Sequence, residues 1–144
     1  MGIVVQKFGG TSVSTESARE KCAEKIINEI ENGNQVVAVV SAMGRKGEPY
    51  ATDTLLDLVS HRKSSKRDLD LLMSCGELIS SVVMASMLNE QGCRAHAVTG
   101  FQAGVMTDGN CGGAMVEHIN SDYLKSLLDS GITPVVTGFQ GIHK

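Results

Sequence analysis

The stretch QKFGGTS places one lysine beside two glycines and two hydroxyl side chains. Gly9 and Gly10 lack a Cβ atom, so the oxygens of an anion can approach backbone N–H groups closely there. Lys7 supplies a positive charge at the same place, and a helix beginning just afterwards would add its positive end. This combination is what a phosphate site requires. For Lys7 to Ser12 alone, a glycine turn with an exposed lysine is an equally good interpretation.

This glycine pair matches neither common nucleotide-binding motif. The phosphate-loop pattern G-x-x-x-x-G-K-[ST] is absent, and so is the dinucleotide fingerprint G-x-G-x-x-G. A nucleotide site here would therefore be of another type.

Three further polar residues stand at positions that favour a ligand site. Glu77 follows Ser-Cys-Gly near the predicted start of a long helix, where a carboxylate suits both the helix dipole and an ammonium group. A solvent-facing glutamate is the more common role of such a residue. Ser41 directly follows the apolar residues QVVAVV in the run QVVAVVSAMG. Thr52 precedes a short helical pattern, and capping that helix is its simplest role.

Apolar runs alternate with amphipathic patterns along the chain. IVVQK, QVVAVVSAMG, RAHAVTG and ITPVVTGFQG read as strands that each end at or near a glycine. Helices are predicted from about 18 to 31 with a cap at Ser12, Ser14 or Ser17, at 54–59, at 68–91 and over SDYLKSLLDSG. The order predicts an α/β fold, an open and mainly parallel sheet covered by helices on both faces. Ligands of such sheets bind off the carboxyl ends of the strands.

The composition limits the possible classes of protein. The chain has 144 residues, a formal net charge of −3 and a sequence pI near 5.8. We therefore expect one domain and no nucleic-acid partner, with the basic run at 61–67 as a loop. The four cysteines form no C-x-x-C pair, which predicts no metal site, and Cys22 and Cys75 read as small core residues. No signal peptide or run of eighteen apolar residues is present, so a cytoplasmic protein without a membrane partner is expected.

Six motifs, taken together and in order, strongly resemble the amino-terminal part of the aspartate kinases, a branch of the amino-acid kinase family. They are KFGGTSV, VVSAMG, YATDTLLDL, SCGELISS, AVTGFQAGVMT and VVTGFQG, and they cover essentially the whole chain. The resemblance implies the carbamate-kinase-like fold of that family, represented here by its amino-terminal, substrate-binding lobe at residues 1–144.

The resemblance also implies a reaction and roles for individual residues. ATP and L-aspartate would give 4-phospho-L-aspartate, the first step toward lysine, threonine and methionine, with Mg²⁺ bridging the nucleotide phosphates. Glu77 would bind the α-ammonium group of aspartate, Thr52 would contact the substrate, and Ser41 would line the same pocket. The transferred phosphoryl group of ATP would be held by the first turn: Lys7 as the catalytic cation, with Phe8, Gly9, Gly10 and Thr11. A carboxylate nucleophile with a free pKa of about 3.9 needs no general base.

The family pattern continues beyond the motifs found here, into a Gly-Arg-Gly-Gly-Ser-Asp segment, a nucleotide-binding half and regulatory domains. We therefore expect the 144 residues alone to have little or no kinase activity. A coupled assay of ADP release tests this, and turnover of about 1 s⁻¹ or more would contradict it. A sheet cut there would leave an unpaired edge, which predicts a homo-oligomer.

Two alternatives remain open. Gly113 and Met115 stand where the family has a polar and a basic side chain, which favours a non-catalytic module that binds a small molecule or a partner. The intact Lys7 turn and Glu77 favour kinase ancestry. Specificity for another amino acid, such as glutamate, fits the KFGGTSV motif less well.

Overall fold

The computed structural model describes residues 2–60 and 62–143. A single 3₁₀ turn, Gly10–Val13, follows the first strand. The helices and strands are, in chain order, β1 (Ile3–Phe8), α1 (Glu16–Glu31), β2 (Gln35–Val40), α2 (Thr52–Leu56), α3 (Lys66–Glu90), β3 (Ala95–Val98), β4 (Val105–Thr107), β5 (Val116–Ile119), α4 (Asp122–Asp129) and β6 (Thr133–Thr137).

The four predicted strands form one parallel sheet in the order β1-β2-β6-β3. Successive residues of a strand point to opposite faces of the sheet. Different helices cover these two faces. Val36 packs with α1 and α3 on one face, whereas Val37 packs with α4 on the other. The predicted parallel α/β sheet is thus confirmed. Helix cover does not reach the outer face of β1, where Ile3 and Val5 are exposed.

Several helix boundaries differ from the predictions. The Thr15 side chain caps α1 by accepting a hydrogen bond from the Ala18 N–H at 3.1 Å, so the caps predicted at Ser12, Ser14 or Ser17 are wrong. The 3₁₀ turn occupies residues 10–13 and delays the start of α1. The third helix begins at Lys66 behind a Ser65 cap, so the basic run is only partly a loop. His61 of that run lies outside the described residues.

The two cysteines that were predicted as core residues have different environments. Cys22 is buried under the 3₁₀ turn, and its Sγ lies 3.2 Å from the Ser12 carbonyl oxygen. Cys75 is exposed on α3. The prediction is therefore confirmed for Cys22 and wrong for Cys75.

The sequence patterns did not predict the antiparallel hairpin that β4 and β5 form. Both strands are short, and every residue of β5 is exposed, so no alternation of apolar and polar residues marks them. Ile142 extends the hairpin after β6: Thr107 N–H donates to the Ile142 carbonyl at 2.8 Å, and Ile142 N–H donates to that of Val105 at 3.0 Å. This hairpin flanks the carboxyl edge of the sheet.

By length and composition alone, α3 could cross a membrane. In the fold it serves as a core helix, because Met84 and Leu88 pack against the parallel sheet together with residues of α1. The same helix carries Glu77 to the edge of the sheet where the strands end.

A candidate functional site at the carboxyl edge of the sheet

The turn after β1 exposes backbone donors. Phe8 is buried in the core and fixes the end of the strand. Gly9 is extended, and its carbonyl accepts the Ser12 N–H at 2.9 Å, which closes the 3₁₀ turn. Within the described residues, the N–H groups of Gly9, Gly10 and Thr11 donate no hydrogen bond. Adjacent unpaired amides of this kind can bind an anion.

Gly10 is required by close packing. Its carbonyl accepts the Gly44 N–H at 3.0 Å. A Cβ atom on Gly10 would lie only 2.7 Å from the Ala42 carbonyl oxygen and 2.9 Å from that of Gly44. The missing side chain therefore lets the exits of β1 and β2 touch.

This packing predicts different effects for two adjacent glycines. Gly10→Ala should lower the free energy of unfolding by about 1–3 kcal/mol, because backbone atoms must move to admit the methyl group. Gly9→Ala is the matched control, since nothing lies within 4 Å of the position that its methyl group would take; it should change stability by less than about 0.5 kcal/mol. Urea unfolding measures both. Equal effects of the two substitutions would contradict the packing role of Gly10.

The Lys7 side chain reaches the turn after β6. Its Nζ lies 4.4 Å from the centroid of the Phe139 ring, a cation–π geometry. Phe139 is 82% exposed and has a φ of 56°, in the left-handed region. No carboxylate in residues 2–60 or 62–143 forms a salt bridge with Lys7. The ammonium charge thus remains available at the carboxyl edge.

Glu77 is a buried carboxylate. Its residue is only 5% exposed, so the simpler interpretation of a solvent-facing glutamate is wrong. Burial raises the pKa of Glu77 above its ordinary value of 4.5, while its own amide, the Ala42 amide and the Gln140 side chain lower the pKa by smaller amounts. The helix-dipole argument is also wrong. Since α3 begins at Lys66, Glu77 lies about three turns inside the helix, beyond the reach of the dipole.

Gly76 brings three segments to Glu77. A Cβ atom at Gly76 would lie 2.7 Å from the Ala42 Cβ, 3.1 Å from the Tyr50 carbonyl oxygen and 3.2 Å from the Leu55 Cδ1. The exit of β2, the approach to α2 and α2 itself therefore all contact α3 at this point.

Ser41 and Thr52 belong to the segments gathered around Gly76. Ser41 N–H donates to the Phe8 carbonyl at 3.1 Å, which joins the exits of β1 and β2. Thr52 is the first residue of α2, and the cap position belongs to Ala51, so a capping role for Thr52 is wrong. Both residues are half-buried. The fold thus brings the segments of all three predicted substrate residues to one place.

The turn after β6 links the two halves of this site, and the sequence patterns gave its residues no role. Phe139 contacts Lys7, and the neighbouring Gln140 donates to the carbonyl of Ser74, three residues before Glu77 on α3. The motif VVTGFQG marked this turn only as a strand end followed by glycine. Its contacts join residues far apart in the chain, so no local pattern could have shown them.

The hairpin loop that contains Gly113 and Met115 is held by carboxylates. Asp108 Oδ1 accepts the N–H groups of Asn110 at 3.0 Å and Met115 at 3.1 Å, and these bonds lower the pKa of Asp108. Asp70 Oδ2 on α3 accepts the Gly112 N–H at 2.8 Å. Since backbone N–H groups are the donors, these hydrogen bonds do not depend on the polar and basic side chains of the family pattern.

The parallel sheet, the amide-rich turn and the buried carboxylate define an α/β protein with unpaired backbone N–H groups and a buried carboxylate at one edge of its sheet. A model described as the amino acid kinase family matches residues 2–144, so the chain belongs to that family.

Within the family, the chain is similar to aspartokinases. It is 50% identical to aspartokinase 1 of Bacillus subtilis over 98% of its own length, and 42% identical to the aspartokinase of Geobacillus stearothermophilus over 99%. It covers 35% and 34% of those two proteins, about a third of their length. The predicted resemblance is confirmed.

Solved structures show the same fold. Aspartate kinase from Synechocystis superposes with a TM-score of 0.76 at 38% identity, covering 97% of this chain and 22% of that one. Escherichia coli aspartokinase III, solved in complex with aspartate and ADP, gives a TM-score of 0.76 at 20% identity. That match covers 99% of this chain and 42% of the other, and at such identity it supports the fold alone.

Proposed function

We propose that this chain is the amino-terminal, substrate-binding lobe of an ATP-dependent aspartate kinase. The reaction is transfer of the γ-phosphoryl group of ATP to the side-chain carboxylate of L-aspartate, which gives 4-phospho-L-aspartate. One observation carries the proposal: Glu77 is a buried carboxylate, and no cationic side chain in the described part of the chain is among the groups that shift its pKa. A buried carboxylate of this kind calls for a cationic ligand, and an amino acid's α-ammonium group provides one.

The anion side of the site supports the same proposal. Lys7 and the free amides of Gly9, Gly10 and Thr11 stand at the same edge of the sheet, joined to Glu77 by the turn at Phe139 and Gln140. Donors placed in this way can neutralise the charge of a phosphoryl group as it approaches a carboxylate. The similarity to aspartokinase 1 of Bacillus subtilis, at 50% identity over 98% of this chain, provides further support.

The proposed mechanism uses positioning and charge stabilisation only. The aspartate carboxylate is already ionised at neutral pH, so no side chain needs to remove a proton. Glu77 holds the ammonium end of the substrate, and Thr52 and Ser41 line the pocket. Lys7 and the glycine amides hold the phosphoryl oxygens, and Mg²⁺ would be held through the nucleotide phosphates.

Calorimetry with L-aspartate tests the substrate assignment. We expect the parent chain to bind L-aspartate and Glu77→Gln to bind it at least about tenfold more weakly, because a charge-assisted contact is lost. Glu24→Gln is the control, since Glu24 is exposed on α1. A Glu77→Gln variant that binds aspartate as well as the parent does would refute the assignment.

We also propose that the chain associates with itself through β1. This strand is an edge of the sheet, and it exposes Ile3 at 54% and Val5 at 65%. Exposed apolar edge strands tend to pair with further strands. Val5→Lys should shift the protein toward monomer in light scattering across a concentration series. Leu58→Lys is the control, because Leu58 is 72% exposed outside the sheet. A parent that is monomeric throughout the series would contradict this prediction.

A further inference from the structure

A hydrogen-bond network joins the exits of β3 and β6 to α3. Gly100 N–H donates to Thr137 Oγ1 at 2.9 Å, and Thr137 Oγ1 donates to Gln140 Oε1 at 2.9 Å. Gln140 Nε2 then donates to the Ser74 carbonyl at 2.9 Å. Since Ser74 lies three residues before Glu77, the two share one side of the helix. The network therefore ends beside the buried carboxylate.

The partners fix which end of the Gln140 amide faces α3. The Ser74 carbonyl can only accept, so it requires the amide nitrogen. The Thr137 hydroxyl accepts from Gly100 and has its single proton left for the amide oxygen. A flipped amide would set its oxygen against the Ser74 carbonyl, which cannot donate. The nitrogen, which carries two N–H groups, thus faces the side of α3 that carries both Ser74 and Glu77.

Within residues 2–60 and 62–143, the groups that lower the pKa of the Glu77 carboxyl are all uncharged. They are its own amide, the Ala42 amide from the β2 exit and the Gln140 side chain from the β6 exit. The ionisable side chains of β1, of the segment leading into α2 and of α2 itself do not contribute to the shift in the pKa of Glu77: Lys7, Arg45, Lys46, Glu48, Tyr50 and Asp53. Within the described residues, Gln140 is therefore the side chain that lowers the pKa of Glu77, against the larger effect of burial.

We propose that Gln140 is a positioning residue, which holds the Glu77 carboxylate in one orientation as a charged acceptor for the substrate ammonium. The ammonium ligand rests on the proposed function, whereas the anchoring of the Gln140 amide to Thr137 and Ser74 does not. Thr137 anchors the amide and so acts on Glu77 one step further away. The arrangement makes the ligand pocket sensitive to the packing of β3 against β6.

Gln140→Met tests the proposal, because it removes both amide groups from a side chain of similar length. Carbon-13 NMR titration of the Glu77 carboxyl should show a higher midpoint than in the parent. Aspartate affinity at neutral pH should fall about tenfold, as expected for the loss of one hydrogen bond to a charged group. Thr137→Val should shift the midpoint in the same direction by less, since it only releases the anchor.

Gln91→Met is the matched control. Gln91 caps the far end of α3, about 21 Å along the helix from Glu77, so the same substitution there should leave the midpoint and the affinity unchanged. An unchanged Glu77 midpoint in folded Gln140→Met would overturn the proposal. Should Gln140→Met fail to fold, an unchanged midpoint in Thr137→Val overturns it instead. If the parent binds no aspartate but the midpoint still depends on Gln140, the proposed substrate is wrong and the positioning role stands.

Discussion

Glu77→Gln is expected to stabilise the folded protein at neutral and alkaline pH while it weakens aspartate binding. Burial raises the pKa of Glu77, so the folded state holds the proton more tightly than the unfolded state. The stability that this group contributes is therefore fully present below the unfolded-state value of 4.5 and is lost as pH rises through the higher folded-state value. A neutral glutamine of the same shape avoids that loss.

The expected gain is on the order of 1 kcal/mol in the free energy of unfolding at about pH 8, and it should vanish near about pH 4. Urea unfolding of parent and variant at both pH values measures it. Glu24→Gln, on the exposed face of α1, should show no such difference between the two pH values.

A Glu77→Gln variant that is less stable than the parent at about pH 8 would show that the carboxylate stabilises the fold, and the ligand role would lose its main support. A gain in stability joined to a loss of binding is the pattern of a residue kept for function.

Gly76→Ala is expected to lower both stability and aspartate affinity. If Gly76 had no close neighbours, the substitution should stabilise α3, because alanine is more favourable than glycine in a helix interior by about 1 kcal/mol. The new methyl group, however, would lie 2.7 Å from the Ala42 Cβ and 3.1 Å from the Tyr50 carbonyl oxygen. Relief requires α3 to move away from the β2 exit and the approach to α2. We expect a net loss of about 1–2 kcal/mol.

The same movement would separate Glu77 from the Ala42 amide and from the Thr52 segment, so aspartate should bind at least about tenfold more weakly. Gly113→Ala is the control, since nothing lies within 4 Å of a methyl group at that position. Thermal unfolding and calorimetry measure the two effects. A Gly76→Ala variant that is more stable than the parent would contradict the close contact between these segments.

The sequence was sufficient for the parallel sheet, because β2 and β6 are apolar runs with glycine just after them and the helices between them have clear amphipathic patterns. It was also sufficient for the chemical character of the first turn: Lys7 and the glycine pair lie at the carboxyl edge, as strand order requires. Local spacing determines both features, so one chain is enough to predict them.

The burial of Glu77 could not be predicted in this way. Its helix pattern is compatible with an exposed position, and only the contacts of Gly76 with Ala42 and Tyr50 show which side of α3 is covered. The same holds for Gln140, whose hydrogen bond to Ser74 spans 66 positions in the chain. Contacts of this kind depend on how the strands are ordered in the sheet.

The β4–β5 hairpin was missed for a different reason. Its strands are short and exposed, and Ile142 completes the hairpin from beyond β6. Periodicity detects an element by its buried face, and β5 has none.

Recognition of an ammonium group by Glu77 is tested most directly by comparing L-aspartate with succinate, which has both carboxylates and lacks the amino group. The parent chain should bind L-aspartate at least about tenfold more tightly than succinate, because without the ammonium the buried carboxylate has no cationic partner. The preference should disappear in Glu77→Gln. Equal affinity of the parent chain for the two compounds would show that Glu77 does not recognise the ammonium group.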